Sequence, residues 1–385
     1  MIFAPKSRRS WSCGCPYVRS REVCANHDSK IDGGTDDTLR AVRIVDAQQL
    51  WSPRPGWLNT ASYGLPPRPA WDALQAALAD WRVGATSWEG WDEATTAARA
   101  GFARLVGVPA ADVAVGAQVS QMIAPVAAAI ADRARVVVPR IEFRSNLFPW
   151  LMHGDRLTVD LVPTDRLPES VADGCAVVAF SLVQSGTGEV ADYAGIVAAA
   201  RSAGAMVVVD ATQACGWLPF DAGLADVVVV GAYKWLMGPR GTAFAYLSPR
   251  AQATLRPIAA GWYAAADVHG SYYGPPLELA ADARRFDVSP VWFSWVGTAP
   301  AIALVEQIGV AAIRDHNVAL ANRFLAGLGE PAGNSAIVTV LAPDAEAKLA
   351  AAGVRAAVRA GRVRVSFHVY STEADVDLAL NALAG

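Results

Sequence analysis

The sequence predicts an α/β protein with one large, mainly parallel β-sheet sandwiched by helices, plus a smaller α+β domain. From residue 110 onward, short β-branched runs alternate with alanine-rich stretches of helical length, which is the pattern of strands joined by crossover helices. Beyond about Pro300 the pattern changes to helical segments and two separated strands, which indicates the smaller domain.

The strands of the large sheet are predicted at residues 135–138, 175–182, 205–210, 226–231 and 242–247. Residues 206–209 and 227–230 are apolar at every position, so their strands are expected in the middle of the sheet. Helical spacing predicts helices at 71–81 and 95–105, whereas the proline- and glycine-rich segment 53–69 is predicted as a loop that could line a cleft.

In the C-terminal part, helices are expected at 301–307 and 317–328, strands at 336–341 and 362–367, and a helix at the end. We therefore predict a large domain at 66–300 and a small α+β domain built from 41–65 and 301–385. Residues 1–40 lack periodicity and are expected to be a disordered leader or an over-extended start.

The composition favours small-molecule chemistry. A formal charge of -3 without a like-charge block indicates neither a nucleic-acid partner nor binding to an anionic membrane. No apolar run reaches the roughly 18 residues of a membrane span, and the first 30 residues lack a signal-peptide apolar region, so a cytoplasmic protein is expected.

The cysteines and histidines do not predict a metal site. Five cysteines in 385 residues do not form a disulfide framework. Cys13, Cys15, Cys24 and His27 could in principle bind zinc, but their segment is the predicted disordered leader. The other four histidines show no ligand spacing, and we expect satisfied or surface side chains.

Two charged residues follow neighbouring apolar strands. Asp210 closes the 205–210 strand, and Lys234 follows the 226–231 strand within the segment 231–241, GAYKWLMGPRG. An isolated charge at such a place is usually a solvated turn. Here Tyr233, Trp235 and the glycines predict a half-buried amine that favours its neutral form and can form a Schiff base.

These residues match the needs of pyridoxal phosphate. That cofactor requires a lysine for its aldehyde, a carboxylate for its ring nitrogen and an anchor for its phosphate. Lys234 and Asp210 supply the first two. The segment 116–120 lies between a short strand and a helix, so the backbone of Ala117, Gln118 and Val119 could present N–H groups to the phosphate.

Residues 207–214, VVVDATQA, together with GAYKWLMGPRG, resemble the signature of class V aminotransferase-fold enzymes, which include cysteine desulfurases, kynureninases, isopenicillin N epimerase and carbon–sulfur lyases such as hercynylcysteine sulfoxide lyase. The resemblance extends from about Trp57 to the C-terminus. It implies the type I fold of pyridoxal-phosphate-dependent transferases, and a homodimer with the site at the subunit interface.

The resemblance also implies a role for individual residues. Gln213 would lie near the ring 3-oxygen, Tyr233 would touch the phosphate, and Phe143 would stack on the ring. Ser185 stands where an asparagine is common, and Ser289 matches the segment that reaches the neighbouring subunit's phosphate. Arg364, rather than Arg362, would bind the substrate carboxylate, with Ala61 and Ser62 also at the substrate.

The reaction is the least determined point. Desulfurases place a histidine where this chain has Phe143, and residues 343–364 contain no cysteine to carry sulfur. We therefore expect β-elimination with carbon–sulfur cleavage of a cysteine-type substrate, with transamination and epimerisation as alternatives and a non-catalytic module as a further one. The side chains of Trp88, Trp91, Trp262, Trp292 and Trp295 could wall a substrate pocket, pack in the core or form a dimer contact.

Overall fold

The computed structural model describes residues 42–270, 272–341, 343–359 and 361–384. The predicted leader, with Cys13, Cys15, Cys24 and His27, lies outside the described residues.

Within these ranges the α-helices are α1 Ile44–Ala47, α2 Arg68–Val83, α3 Glu89–Leu105, α4 Val119–Ala129, α5 Arg144–Leu151, α6 Leu167–Ala172, α7 Tyr193–Ala203, α8 Pro249–Thr254, α9 Trp292–Ile308, α10 Val310–Gly327, α11 Ala345–Ala351 and α12 Glu373–Ala384. The strands are β1 Val113–Gly116, β2 Ala134–Pro139, β3 Leu157–Val162, β4 Val177–Ser181, β5 Met206–Asp210, β6 Val227–Gly231, β7 Ala243–Leu247, β8 Ile337–Val340, β9 Ala357–Arg359 and β10 Arg362–Ser366.

The large sheet has seven strands in the order β1-β7-β6-β5-β4-β2-β3. The pairs from β6 through β5, β4 and β2 to β3 are parallel, whereas β7 is antiparallel to both of its neighbours. The chain from Gly231 to Ala243 contains no helix, and a parallel return normally needs a helical crossover. The prediction of a mainly parallel sheet is confirmed, with β7 as its reversed strand, and β5 and β6 lie inside the sheet as predicted.

Both faces of the large sheet are buried. Val207 and Val209 of β5 belong to one apolar core, and the intervening Val208 belongs to another on the opposite face. In the first core Phe102 of α3 stacks on Phe244 of β7 with ring centroids 4.4 Å apart. Helices therefore cover each face, and polar groups are left to gather at the strand ends.

Two strands and the starts of three helices escaped the sequence analysis. α3 begins at Glu89 rather than at 95, and α10 begins at Val310 rather than at 317. β3 pairs with β2 at the edge of the large sheet and is only partly buried, so it lacks the continuous apolar pattern of the inner strands. β9 has three residues, which is too short for a periodic signal. The expected helix start at residue 301 is wrong, because α9 begins at Trp292 and contains Pro300 within it.

The small sheet contains β8, β10 and β9, paired antiparallel in that order. Val363 and Val365 of β10 face an apolar core with Phe324 of α10 and Val376 of α12, so the opposite face of β10 carries Arg362, Arg364 and Ser366. The domain boundaries at 65 and 300 stay a prediction.

Among the described residues, no single helix is long and apolar enough to cross a membrane. The helices Trp292–Ile308 and Val310–Gly327 have the length and apolar composition of a membrane span only when they are taken together, and the pair is bent by 82°.

Candidate active site

A cavity of about 300 Å³ opens where the carboxyl ends of β1, β4, β5 and β6 meet. This edge of an open α/β sheet is where ligands generally bind. The side chains and backbone that line the cavity belong to Ala117, Gln118, Val119, Phe143, Ser145, Ser181, Ser185, Asp210, Thr212, Gln213, Tyr233, Lys234, Arg240 and Gly241. Nine of these residues were predicted as cofactor-binding, so the structure brings most of the predicted set together.

Lys234 lies on the turn after β6, with only 5% of its surface exposed. Its Nζ is 5.4 Å from the centroid of the Phe143 ring and 5.6 Å from that of Tyr233. Burial lowers the pKa of Lys234 to about 8, against the opposing effect of Asp210. A buried amine that loses its proton readily can attack an aldehyde.

The loop before α2 holds the backbone of that lysine. The Gly64 N–H donates to the carbonyl of Tyr233 at 2.9 Å. A Cβ on Gly64 would lie 2.1 Å from the carbonyl oxygen of Lys234. Only glycine permits this close approach, so the loop predicted from its prolines and glycines fixes the turn that carries Lys234.

Asp210 ends β5 and is buried. Its Oδ1 accepts a hydrogen bond from the Thr212 N–H at 2.9 Å, and Thr212 Oγ1 accepts one from the Gly231 N–H at 3.0 Å. Burial raises the pKa of Asp210, while Thr212 and Lys234 act in the opposite direction. A cationic partner inside the cavity would favour the ionised form of this carboxyl.

Phe143 precedes α5 and keeps 44% of its surface exposed, with its ring toward Lys234. The carboxylate of Glu142 supports it, because it accepts hydrogen bonds from the Phe143 N–H at 2.8 Å and the Ser181 N–H at 2.7 Å, as well as from the Ser181 hydroxyl. Burial raises the pKa of Glu142. The sequence analysis missed Glu142 and Ser181, although Glu142 directly precedes the residue expected to stack.

The N-terminus of α4 forms another wall. The Ala117 N–H, which was expected to face a phosphate, donates instead to Gln121 Oε1 at 2.9 Å. The expected backbone cradle then consists of the amides of Gln118 and Val119, at the N-terminus of α4. Arg240 belongs to the same cavity lining, and its Cζ is 4.3 Å from the centroid of the Tyr233 ring. The sequence analysis gave no role to Arg240.

Gln213 and Ser185 form a hydrogen-bond network in which the donor and the acceptor of each bond are determined. Trp235 Nε1 can only donate, and it donates to Gln213 Oε1 at 2.8 Å. The amide nitrogen of Gln213 therefore donates to the carbonyl of Ala61 at 2.9 Å and to Ser185 Oγ at 3.1 Å. Because Ser185 Oγ also accepts from Arg364, its own hydrogen remains to be donated into the cavity.

Arg364 lies behind Ser185 and has 1% of its surface exposed. Its Nη1 donates to the carbonyl oxygen of Ser185 at 2.6 Å, and its Nη2 donates to Ser62 Oγ at 2.9 Å. Its buried Nε has no hydrogen-bond partner among the described residues. Burial lowers the pKa of Arg364 to about 10, so the guanidinium is charged at neutral pH. A buried cation in this state is suited to an incoming carboxylate.

Two groups of expected residues lie elsewhere. Ser289 is exposed and does not line the cavity, so its contact with a neighbouring subunit stays a prediction. None of the five tryptophans lines the cavity either, so the interpretation that they form its wall is wrong. Trp295 packs edge-on against Phe244 in the core, while Trp88, Trp91, Trp262 and Trp292 pack on one another near α3 and α9.

His316 and His368 are part of the structural framework. His368 is buried, and its Nε2 lies 3.0 Å from the carbonyl oxygen of Trp235. His316 Nε2 lies 3.1 Å from the Ser371 carbonyl oxygen. Among the residues that the structure describes, no group of three or more His, Cys, Asp or Glu side chains could hold a metal ion.

The arrangement fits pyridoxal phosphate. A buried amine, an aromatic ring with an open face, a buried carboxyl and a helix N-terminus surround one cavity, and they match the aldehyde, ring, ring nitrogen and phosphate of that cofactor. The fold and site thus define an α/β enzyme of the type that binds an aldehyde cofactor through a lysine.

The family model described as "Aminotransferase class-V" matches residues 85–349, more than half of the chain. The chain therefore belongs to the class V aminotransferase family, with the type I fold, and is a pyridoxal-phosphate-dependent enzyme. The family and fold inferred from the segments around Asp210 and Lys234 are confirmed.

Relatives in this family differ in their named activities. The chain is 28% identical over 324 residues to "Uncharacterized aminotransferase YcbU" of Bacillus subtilis (strain 168), covering 78% of this chain and 85% of that protein. It is 27% identical over 325 residues to isopenicillin N epimerase of Streptomyces clavuligerus, and the match covers 74% of this chain and 77% of that protein. The structure of the cystine C–S lyase C-DES with its product cysteine persulfide aligns with a TM-score of 0.78 and 19% identity, covering 86% and 97%.

Proposed function

We propose that this enzyme cleaves the carbon–sulfur bond of a cysteine-type L-amino acid by β-elimination, with pyridoxal phosphate held in the cavity at Lys234. The observation that carries the proposal is the buried Lys234 amine, poised between the Phe143 ring and Asp210. The cofactor, when bound, supplies an electron sink for the electrons left on Cα after a proton is removed.

Each wall of the cavity has a task in this proposal. Lys234 Nζ would hold the cofactor aldehyde, and the same amine would serve as the base for the Cα proton. Asp210 would keep the ring nitrogen protonated, and Phe143 would stack on the ring. The Ser185 hydroxyl, whose acceptor positions are filled by Gln213 and Arg364, would donate toward the ring 3-oxygen.

Arg364 binds the α-carboxylate of the substrate. The carboxylate would accept from Nε, which has no partner among the described residues, and from Nη2 in place of the neutral Ser62 hydroxyl, while Nη1 stays bonded to Ser185. The carbonyl of Ala61 and the hydroxyl of Ser62 lie on the same loop and shape this end of the site.

The described cysteines support elimination over transfer of sulfur to the enzyme. Cys215 has 2% of its surface exposed, and burial raises the pKa of its thiol to about 12. Cys175 is half-buried, and burial raises its pKa as well. Neither thiol is an available nucleophile at neutral pH. Phe143 stands where desulfurases place a histidine, and its ring cannot relay a proton as that histidine would.

Transamination is the second candidate, because a relative that this chain matches over 85% of its length is named an uncharacterized aminotransferase. Epimerisation is the third, because of the similarity to isopenicillin N epimerase. All three reactions need the same lysine and the same removal of the Cα proton, and the pocket around the side chain decides among them.

We further propose that the enzyme is a homodimer that acts in the cytoplasm. Large apolar side chains beside the cavity support the dimer: Phe148 is 46% exposed, Ile258 63% and Met152 81%, and they line one groove. Ser289 would then reach the partner's phosphate. Sedimentation tests this assembly, since a fully active monomer would contradict it.

Visible absorption spectra test the proposed function. Wild-type protein and Lys234→Ala are compared before and after addition of L-cysteine conjugates and ordinary L-amino acids. We expect a cofactor band that the variant lacks, with pyruvate and ammonia formed from the conjugate. A keto acid with aminated cofactor would select transamination. No band in the wild type after added cofactor would contradict the proposal.

A further inference from the structure

The cavity has few charges with which to bind a phosphate. Among its lining residues, Asp210, Lys234 and Arg240 carry formal charges. Lys234 is committed to the aldehyde in the proposed function, so its charge is not at the phosphate end. The Ala117 N–H is occupied by Gln121, and the turn before Tyr233 consists of Gly231 and Ala232, which have no side-chain donor. Among the described residues that line the cavity, a dianionic group therefore meets one uncommitted cation, Arg240.

The backbone of Arg240 is held in place. It follows Pro239 in the turn between β6 and β7, and its carbonyl oxygen accepts a hydrogen bond from Ser294 Oγ at 2.7 Å. The next residue, Gly241, has φ +100°, a conformation that side-chain-bearing residues rarely adopt. This turn directs the arginine to the mouth of the cavity, where both Arg240 and Gly241 form part of the lining.

The guanidinium of Arg240 lies over an aromatic ring. Its Cζ is 4.3 Å from the centroid of Tyr233, and no ion pair to Arg240 is formed within the described residues. Stacking on a ring leaves the N–H groups at the edge of the planar guanidinium available for an oxyanion. The Tyr233 ring also lies 5.6 Å from Lys234 Nζ, so this cation is near the attachment point of the cofactor.

We propose that Arg240, stacked on Tyr233, anchors the phosphate of pyridoxal phosphate together with the N-terminus of α4. The inference rests on the proposed function, which places the cofactor in this cavity. It gives Tyr233 the task of supporting the arginine. The phosphate would then bridge the α4 end and the β6–β7 turn.

Binding of pyridoxal phosphate and of phosphate-free pyridoxal to cofactor-free protein tests the proposal. Wild type is compared with Arg240→Gln, Arg240→Lys and the matched control Arg144→Gln. Arg144 is also an arginine over an aromatic ring, 5.5 Å from the Phe148 centroid, but it lies outside the cavity lining. Dissociation constants come from the absorption band, and circular dichroism checks folding.

We expect Arg240→Gln to weaken binding of pyridoxal phosphate by about tenfold or more, while pyridoxal affinity changes less than about twofold. Arg240→Lys should retain part of the preference, and Arg144→Gln should match wild type. Inorganic phosphate should compete with cofactor capture in wild type and less in Arg240→Gln. If Arg240→Gln does not fold, Arg240→Lys decides the matter, because it should lose part of the preference for pyridoxal phosphate over pyridoxal and part of the competition by inorganic phosphate.

Equal loss of both ligands, or no loss of either, would overturn the role of Arg240 while leaving the cofactor site intact. A higher KM for substrate with unchanged cofactor affinity would also overturn it, since the arginine would then face the substrate. Failure of wild-type protein to bind pyridoxal phosphate would instead defeat the proposed function, and this inference with it.

Discussion

Arg364 and Ser185 are joined by two hydrogen bonds from a single nitrogen, since Nη1 donates to the carbonyl oxygen of Ser185 at 2.6 Å and to its hydroxyl at 3.2 Å. Arg364 belongs to the small sheet, and Ser185 follows β4 of the large sheet. The hydroxyl also accepts from Gln213, so the proposed carboxylate site and the proposed cofactor site share one side chain.

Replacement of Arg364 by glutamine should damage substrate binding more than cofactor binding. Loss of one partner from a buried, charged interaction costs about 2–5 kcal/mol, which corresponds to a fall of roughly thirtyfold to a few thousandfold in kcat/KM. We expect the KM to rise and the cofactor band to persist. Steady-state kinetics with an L-cysteine conjugate, beside the absorption spectrum, measure both effects.

Arg362→Gln is the matched control for Arg364→Gln. Arg362 lies on the same face of β10, two residues earlier, but its side chain is exposed. Its kcat/KM should stay within about twofold of wild type, as is usual for surface changes. Equal losses in both variants would contradict the assignment of Arg364 as the carboxylate-binding residue.

Capture of the cofactor should depend on pH through Lys234. Burial lowers the pKa of this amine to about 8, so the neutral, nucleophilic form predominates above that pH. The rate of band formation in cofactor-free protein should therefore rise with pH and level off above about 8, rather than near the ordinary lysine value of roughly 10.4. Stopped-flow absorbance gives this profile.

Asp210→Asn tests the direction in which Asp210 shifts the pH profile of cofactor capture. Asp210 opposes the effect of burial on Lys234, so removal of its charge should shift the midpoint of the profile to lower pH. A midpoint near 10 in wild type, or a shift to higher pH in Asp210→Asn, would show that burial does not control this amine.

The sequence predicted the parts of the site that depend on local pattern. Asp210 and Lys234 each follow an uninterrupted apolar strand, and inner strands of a parallel sheet end at the same edge, so their convergence could be inferred. Glu142 could not be found in this way. Its importance comes from burial against Ser181, which is distant in the chain, and that burial is a property of the packed sheet.

Arg240 was missed by the sequence analysis, whereas the tryptophans were wrongly suggested for the cavity. Both errors arise because residue type alone does not give tertiary position. Arg240 is one arginine in a glycine-rich turn, and only the packed turn places it over Tyr233 inside the cavity. The tryptophans were conspicuous in the sequence, yet they pack around α3 and α9 away from Lys234. Residue type suggests what a side chain can do, whereas tertiary contacts determine where it acts.

Asp287→Ala should destabilise the protein strongly. Asp287 is buried, accepts from Arg99 Nη2 at 2.6 Å, and its Oδ1 also accepts from the Val115 N–H at 2.7 Å. Removal of the carboxylate leaves Arg99 buried and unpaired, which costs about 3–5 kcal/mol. Denaturant unfolding followed by circular dichroism should show the loss as a lower midpoint.

The double variant Arg99→Met, Asp287→Leu tests the reason for that loss. It removes both charges and keeps apolar volume, so it should be less destabilised than Asp287→Ala. If the double variant were the less stable of the two, packing around Asp287 rather than the unpaired guanidinium would explain the effect.

Cys215→Ala should leave catalysis nearly unchanged if sulfur is eliminated without passing through an enzyme thiol. Cys215 lies in the core beyond β5, and burial raises its pKa to about 12, so its thiolate is scarce at neutral pH. We expect kcat/KM within about twofold of wild type and a stability cost of about 1 kcal/mol from the small cavity. Cys175→Ala is the matched control, because Cys175 is also apart from the cavity lining but is partly exposed. A loss of tenfold or more in Cys215→Ala alone, with the cofactor band retained, would mean that this thiol takes part in sulfur transfer, and the elimination mechanism would have to be abandoned.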